Sequence, residues 1–412
     1  MIDEVNAEQE SLLLNFGDSI TKICDLRRSI IPMTSKIEID EFTAEANNNF
    51  DFDFDGVNKF YPFEVPHMLE DLDFNILCIV GASGSGKSTF SKYFGNEEEL
   101  YYDNNKSIMS HFITPNEAIE KLCAVGLNSI PTWCKPRNVL SVGEGFRVDL
   151  ARRLKDNCVI DEFTSTVDRN VALSCCNSIS KYIRKNNIKK CVFVSCHKDF
   201  IDTLKPDYVI DLDDECIYDT RRLPKRRFEL SIYETRAKEY VWKIFRQHHY
   251  LSKELNVASR VFIAYLNEEI VGMIAILPLP SGTVSNAYRV HRLVILPDYQ
   301  GLGLGTKILN YFANLFAKQD YNFYIRTTHK KLYNCLKKNK NWQESSSSGR
   351  KSSENGGKLK NTWKVDDRTP YSFKYVGEYN SELDTKDIVL YENQEIEIDD
   401  TTEQLSLLWN II

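Results

Sequence analysis

No apolar run in this chain approaches the ~20 residues needed to span a bilayer, which argues against a transmembrane helix. The first ten residues, MIDEVNAEQE, are acidic and polar and have neither the basic nor the apolar region of a signal peptide. There is no excess of positive charge either. At a net charge of −7 nothing draws the whole molecule to nucleic acid, and any phosphate contact must come from local basic patches. The 11 cysteines, with Cys175 and Cys176 adjacent, lack paired ligand spacing with histidines. Reduced, buried thiols explain them better than zinc sites or disulfides, and the expected location is the cytoplasm. There is no internal repeat.

What is present is ordinary soluble-protein material, 42% hydrophobic and 27% charged over 412 residues, a length that favours two domains plus linkers. After a polar stretch in which residues 36–42 could form a strand, the acidic DFDFD at 51–55 reads as a solvated loop. Apolar segments at 76–80, 158–160, 191–196 and 208–212 then alternate with helical patterns. That alternation predicts a parallel sheet covered on both faces. RRLPKRRF at 221–228 places a proline among five basic residues and reads as an interdomain linker. A second α/β unit follows: a hairpin from 261–265 and 270–277, a strand at 289–296, and a helix over 306–317. That helix gathers Ile308, Leu309, Phe312, Leu315 and Phe316 on one face. SSSSGRKSSENGG at 345–357 is flexible by composition, and the acidic tail beyond 383 ends in LSLLWNII, an apolar patch expected to dock.

The segment GASGSGKS directly follows the first apolar strand and fits G-x-x-x-x-G-K-[ST]. Gly81, Gly84 and Gly86, with Ser83 and Ser85, let backbone N–H groups close around phosphates. Lys87 would reach the outer phosphates, Ser88 would hold Mg²⁺, and Thr89 completes the nucleotide-binding set. CVIDEF ends a strand in two carboxylates: Asp161 placed for Mg²⁺ and Glu162 for orienting or deprotonating water. LSVGEGFRVDLARRL at 140–154 resembles the ABC signature, TSTVD supplies Asp168 as a D-loop, and VSCHKD presents His197 as a switch histidine. Roughly residues 60–215 thus resemble the ABC ATPase superfamily. The resemblance implies ATP and Mg²⁺ as ligands and a head-to-tail homodimer in which Ser141 and Gly143 of one copy cap the nucleotide of the other. Val142 and Glu144 depart from the family's pattern. No glutamine stands at the expected Q-loop, where His111 is the substitute, unless it is a core or surface histidine. The short interval from Lys87 to Ser141 leaves no room for the lobe that grips a membrane subunit, so the resemblance is to soluble members with no membrane partner.

RLVILPDYQGLGLGTKILNYF at 292–312 resembles the acyl-CoA motif of GNAT enzymes: a strand, a loop with Gln300, Gly301, Gly303 and Gly305, then a helix. Glycines are needed there because a pyrophosphate would lie directly on backbone N–H groups at a helix N-terminus. The resemblance implies acetyl-CoA or another acyl-CoA, held also by Leu293, Val294 and Ile295. Its usual helix tyrosine is replaced by Lys337, leaving Tyr333 as candidate general acid or as a packed tyrosine. His291, nine residues ahead of Gln300, occupies the family's base position, and either catalysis or plain packing suits a strand histidine. His249 and Tyr250 are further acceptor-pocket candidates.

The two resemblances imply an α/β chain: a P-loop ABC-type nucleotide-binding domain with a β-rich N-terminal extension over 1–220, the linker at 221–228, a GNAT acyltransferase domain over 229–382 and the tail at 383–412. They imply an ATP-hydrolysing protein that carries a CoA-dependent N-acyltransferase acting on a macromolecular amine, a nucleobase first. A protein amine is the next choice, and a nucleic-acid clamp with a degenerate GNAT domain is the alternative. Nucleic-acid binding would draw on Arg221, Arg222, Lys225, Arg226 and Arg227, with Arg350, Lys351, Lys358 and Lys360, unless these are ordinary solvated charges.

Overall fold

A computed structural model describes residues 12, 16–50, 54–224, 226, 228–248, 254–266, 269–280, 284–345, 348, 370–381 and 388–391. The chain divides into two compact units, Met1–Arg226 and Arg227–Ile412, each of mixed α/β character. The candidates His249, Tyr250, Lys225, Arg227, Arg350, Lys351, Lys358 and Lys360, most of the 345–357 loop and the apolar end of the tail lie outside the described residues.

The first unit is built on strands β1 Thr21–Asp25, β4 Ile76–Val80, β5 Val159–Ile160, β6 Cys191–Ser195, β7 Tyr208–Asp211 and β8 Cys216–Asp219. They lie in the order β1-β8-β7-β4-β6-β5. The four strands β7, β4, β6 and β5 are parallel, and β8 and β1 add an antiparallel edge. All five residues of β4 are buried because both faces of the sheet are covered. Ile76, Cys78 and Val80 enter the core formed with helices Pro115–Ala124, Val142–Arg153 and Arg169–Lys185. Leu77 and Ile79 enter the opposite core, with Phe74 and Phe90. A smaller ribbon pairs β2 Met33–Lys36 with β3 Val57–Phe60. The strand expected over 36–42 is not formed. Only Lys36 is in a strand, and Glu41–Phe50 is a helix. That helix buries no residue, and Ile37, Ile39 and Phe42 are all exposed, so the weak alternation had no sheet to pack on.

The second unit holds one eight-stranded sheet. Its strands are β9 Leu230–Thr235, β10 Arg260–Leu266, β11 Glu269–Pro278, β12 Ala287–Ile295, β13 Asn322–Thr327, β14 Trp342–Glu344, β15 Tyr371–Tyr375 and β16 Ile388–Tyr391. The order is β14-β15-β13-β12-β11-β10-β9-β16. Strands β9 to β12 form an antiparallel meander, whereas β12 and β13 run parallel. Helix Leu304–Lys318 buries Ile308, Leu309, Phe312 and Phe316 on one face of the sheet, against Phe262, Ile274 and Ile276. Helix Lys238–Phe245 covers the other face, with Val241, Trp242 and Phe245 packed on Val261, Met273 and Val294.

One residue sets how closely β11 and β12 approach. A Cβ on Gly272 would stand 2.8 Å from the carbonyl oxygen of Val294 and 2.6 Å from Ile295 Cδ1. A side chain there must push β12 outward. Gly272→Ala is expected to cost about 1–3 kcal/mol, the range for overpacking a filled core, read as a lower denaturant midpoint at unchanged slope. An unchanged midpoint would show that β12 moves freely.

Candidate functional site

Parallel strands release the chain at one common edge, and the first unit uses this to gather distant residues. Val80 of β4 stands opposite Ser195 of β6, and Ile160 of β5 opposite Phe193. The residues that follow, Gly81, Asp161 and His197, therefore leave the sheet at the same end. Beyond β4 the loop turns through Gly84 (φ 80°) and Gly86 (φ 102°) into the short helix Lys87–Ser91, where Thr89 N–H donates to Gly86 O. At Gly86 the left-handed conformation is joined by a steric reason for glycine, since a Cβ would meet Phe60 Cζ of β3 at 2.7 Å. Ser83 and Gly84 are exposed at the tip. The Ser85 hydroxyl is buried without a hydrogen-bond partner, and a Cβ on Gly81 would lie 2.8 Å from it. Lys87 folds its ammonium onto the carbonyls of Gly81 and Ala82 at 2.8 and 2.7 Å.

Ser88 Oγ donates to Asp161 Oδ2 at 2.7 Å, which joins the helix to the end of β5. A hydroxyl and a carboxylate are hard oxygen donors of the kind Mg²⁺ takes. The Asp161 amide is held by Glu97 at 3.1 Å, and Glu97 is tied to Arg153 at 3.2 Å. Burial pushes the Glu97 carboxyl above its ordinary range. Glu162 is exposed and sits at φ 49°, two residues before Thr164 at φ 69°. The His197 amide donates to Ser195 Oγ at 3.1 Å.

The signature-like segment begins a helix. Ser141 is the N-cap of Val142–Arg153. Its hydroxyl accepts from Glu144 N at 3.2 Å while Glu144 reaches back to Ser141 N at 3.1 Å. Glu144, which departs from the family pattern, thus completes a capping box. Gly143 faces the segment that leads into Asp168: a Cβ there would lie 3.5 Å from Val167 Cγ1. Asp168 caps the next helix, accepting from Asn170 N at 2.9 Å. His111 is built into its own loop, with Nε2 accepting from Asp103 N at 2.9 Å and Nδ1 lying 3.0 Å from Ser107 O. The structure gives it a loop-closing role.

In the second unit the parallel ladder of β12 and β13 spans only Ala287–Arg289 and Asn322–Tyr324. Past Arg289 the two strands part. β12 continues beside β11 to Ile295 and β13 beside β15 to Thr327. The glycine loop lies just beyond the end of β12. Gln300 Nε2 donates to Ile295 O at 2.9 Å, closing the loop onto the strand. Gly303 (φ 85°) is the N-cap of Leu304–Lys318, and a Cβ on Gly305 would stand 3.3 Å from Ile295 Cγ1. Gly301 also has positive φ, 101°. Leu293 and Ile295 pack on the side of the Leu304–Lys318 helix, and Val294 faces the opposite core. Left-handed glycines at the start of a 15-residue helix, beside a gap between parting strands, form a cradle for an anion with an extended tail.

His291 lies on β12. Its Nε2 accepts the Asn256 amide at 3.2 Å, so its lone pair is already engaged. Burial, with Arg292 and Arg289 nearby, pushes its pKa down to about 4. It is uncharged at neutral pH but a weak base. Tyr333 stacks on Tyr371 with ring centroids 3.9 Å apart and accepts from Lys337 Nζ at 3.0 Å. Lys337, the residue at the family's tyrosine position, therefore touches the candidate acid directly. In the linker, Arg221 pairs with Asp219 at 2.5 Å and Arg226 with Asp202 at 3.2 Å. Among the described residues no group of three or more His, Cys, Asp or Glu is placed to hold a metal. No described helix is long and apolar enough to cross a membrane.

Several partners of these residues carry no sequence signal: Glu97 on the Asp161 amide, Asn256 on His291, Tyr371 on Tyr333, and Asp213, which accepts from Ala82 N at 2.8 Å. Only the acidic turn after an apolar strand, LDDE, could have drawn attention to Asp213.

Residues 219–335 match the family described as acetyltransferase (GNAT). No curated protein matches the chain. Among solved structures, an IAA acetyltransferase from Bacillus cereus is 13% identical over 35% of this chain and 98% of its own, with a TM-score of 0.28. A GNAT acetyltransferase from Elizabethkingia anophelis with acetyl-CoA bound is 14% identical over 36% and 97%, TM-score 0.28. Naa50 of Arabidopsis thaliana, in complex with a bisubstrate analogue, is 18% identical over 35% and 97%, TM-score 0.27.

The His291 environment sets a pH dependence. Its folded-state pKa lies below the ordinary 6.5, so the unfolded chain takes up the proton first as pH falls. The stabilisation from the neutral ring is full above about pH 6.5 and is lost as pH falls to about 4. His291→Gln keeps an acceptor for the Asn256 amide and cannot titrate. It should flatten part of the fall in Tm between those limits, and an unchanged pH profile would show that the ring is not held neutral by the fold.

Proposed function

With residues 219–335 a GNAT acetyltransferase domain, we propose that the chain transfers an acyl group from acetyl-CoA to an amine, and that its first unit binds and hydrolyses ATP. The observation that carries the acyltransferase reading is the parting of β12 from β13 after Arg289, directly beside the glycine loop. Bound acetyl-CoA would supply an activated acyl thioester. The backbone of Gln300–Gly305 would hold its pyrophosphate, and the edge of β12 beyond its pairing with β13, near Leu293–Ile295, would line its extended arm. The incoming amine must lose a proton and the departing thiolate must gain one. Tyr333 suits the second task, because the Lys337 ammonium occupies an acceptor position on its oxygen and leaves the phenolic proton available to donate. His291 suits the first only if the Asn256 amide releases its lone pair.

The ATP reading is supported by the orphaned Ser85 hydroxyl inside a loop of left-handed glycines, by Lys87 beside it, and by the Ser88–Asp161 pair. In it, Ser88 and Asp161 would hold Mg²⁺, Glu162 would activate water, and His197 would face the outer phosphate. The ABC-type arrangement makes the functional unit a homodimer, with Ser141 and Gly143 of one copy over the loop of the other. In support, Ser141 is exposed and Val142 is 71% exposed. A macromolecular amine is the acceptor we favour, since a small free amine needs no ATP-driven remodelling. A nucleobase is the first choice and a protein amine the second. Local pairing of Arg221 and Arg226 with acidic residues weakens the linker's claim to phosphate.

Two variants separate the activities. Gly303→Glu should abolish acetyl-CoA binding in calorimetry while ATP turnover survives, and unchanged affinity would show that this loop does not hold CoA. Glu162→Gln should bind ATP and accumulate as a dimer on sizing. A strictly monomeric variant beside a normally turning-over wild type removes the sandwich.

A further inference from the structure

The first amide after the start of the glycine loop is not aimed at a ligand. Ala82 N–H donates to Asp213 Oδ1 at 2.8 Å. Asp213 belongs to the turn between β7 and β8, and it is brought there by the ladder, since Asp211 stands opposite Val80 and Leu212 N donates to Val80 O at 2.9 Å. The contact leaves no slack. A Cβ on Gly81 would lie 3.2 Å from Leu212 Cβ and 3.3 Å from Asp213 Oδ1. A carboxylate against a phosphate-binding loop should repel the ligand, yet here it is compensated. Lys198 Nζ lies 3.1 Å from Asp213 Oδ2 and 2.8 Å from Asp211 Oδ2. Asp211 is fully buried and accepts from the amides of Asp213 and Asp214 at 3.0 and 3.3 Å, which fixes the turn from within. Burial alone would lower the Lys198 pKa, but its bonds to Asp211 and Asp213 hold it above the ordinary value. The ammonium stays charged.

We propose that Asp213 is a positioning residue of the nucleotide site, pinning the Gly81–Ala82 end of the loop through the Ala82 amide, and that Lys198 supplies the charge that makes a carboxylate tolerable there. The inference rests on the ATP reading of the loop. Lys198 follows His197 directly, so the same short segment that would present the switch histidine also anchors the pin. Asp213 does not touch the ligand. It fixes where the remaining loop amides point, and an anion-binding loop depends on preorganised donors.

The test uses the full chain and titration with a fluorescent ATP analogue in Mg²⁺. Asp213→Ala should weaken binding by about tenfold, the loss expected when one charge-assisted hydrogen bond is removed. Asp213→Asn keeps an acceptor for Ala82 N–H and should stay within about threefold of wild type. Lys198→Ala leaves both carboxylates uncompensated. Its defect should be largest near about 50 mM salt and shrink near about 500 mM, as screening removes the repulsion. Thermal melts on each variant separate loss of fold from loss of binding. Wild type that binds no nucleotide ends the ATP reading and this proposal with it. Wild type that binds, with Asp213→Ala equal to it or with Asp213→Asn as weak as Asp213→Ala at equal Tm, overturns the positioning role alone.

Discussion

Parallel pairing is the constraint on which both candidate sites rest. A parallel ladder forces each strand to end at the same edge as its neighbours, so residues that follow different strands meet without being near in sequence. In the first unit the pairing of β4 with β6 and β7, and of β5 with β6, brings Gly81, Asp161, His197 and Asp213 to one edge. The second unit uses the same pairing in the opposite sense. There the parallel pairing of β12 with β13 is started at Ala287 and abandoned after Arg289, and the opening that results lies beside the glycine loop. One unit gathers by completing the ladder and the other by breaking it.

Packing makes that geometry dependable. β4 is sealed on both faces, so its last residue cannot drift, and the loop that follows starts from a fixed point. β12 is fixed from one side by its close contact with Gly272 and from the other by the near approach of Gly305 to Ile295. Where a position would otherwise be soft, short polar links take over. Glu144 closes a capping box on Ser141, Gln300 ties its loop to Ile295 O, and Glu97 holds the Asp161 amide.

The sequence was most legible where the chemistry is contiguous. The glycine loops, the carboxylate pair and the Leu304–Lys318 helix each announce themselves within a few residues, because strand, turn and helix follow one another directly. Partners that arrive from elsewhere left no trace. Asp213 meets Ala82 from 131 positions away, and Asn256 meets His291 from 35, set by the ladder and by a loop respectively. Local pattern also misled where burial was absent. Ile37 and Ile39 alternate with polar residues as a strand would, but both are exposed, and the following residues find their hydrogen bonds in a helix instead. His111 shows a related limit, for position in a motif said nothing of the two loop atoms that engage its ring.

The turn after β5 has a consequence of its own. Glu162 and Thr164 both hold left-handed backbones, at φ 49° and 69°, and for a β-branched residue such as Thr164 that conformation is sterically costly. Strain of this kind is of order 1–3 kcal/mol per residue and persists only where the surroundings enforce it. Thr164 is 1% exposed with no hydrogen-bond partner for its hydroxyl, so no side-chain hydrogen bond offsets the strain. The folded state thus keeps a small elastic store beside its carboxylates. A chain selected for robustness alone would relax it with a glycine, and the stiffness that fixes the backbone at Glu162 would go with it.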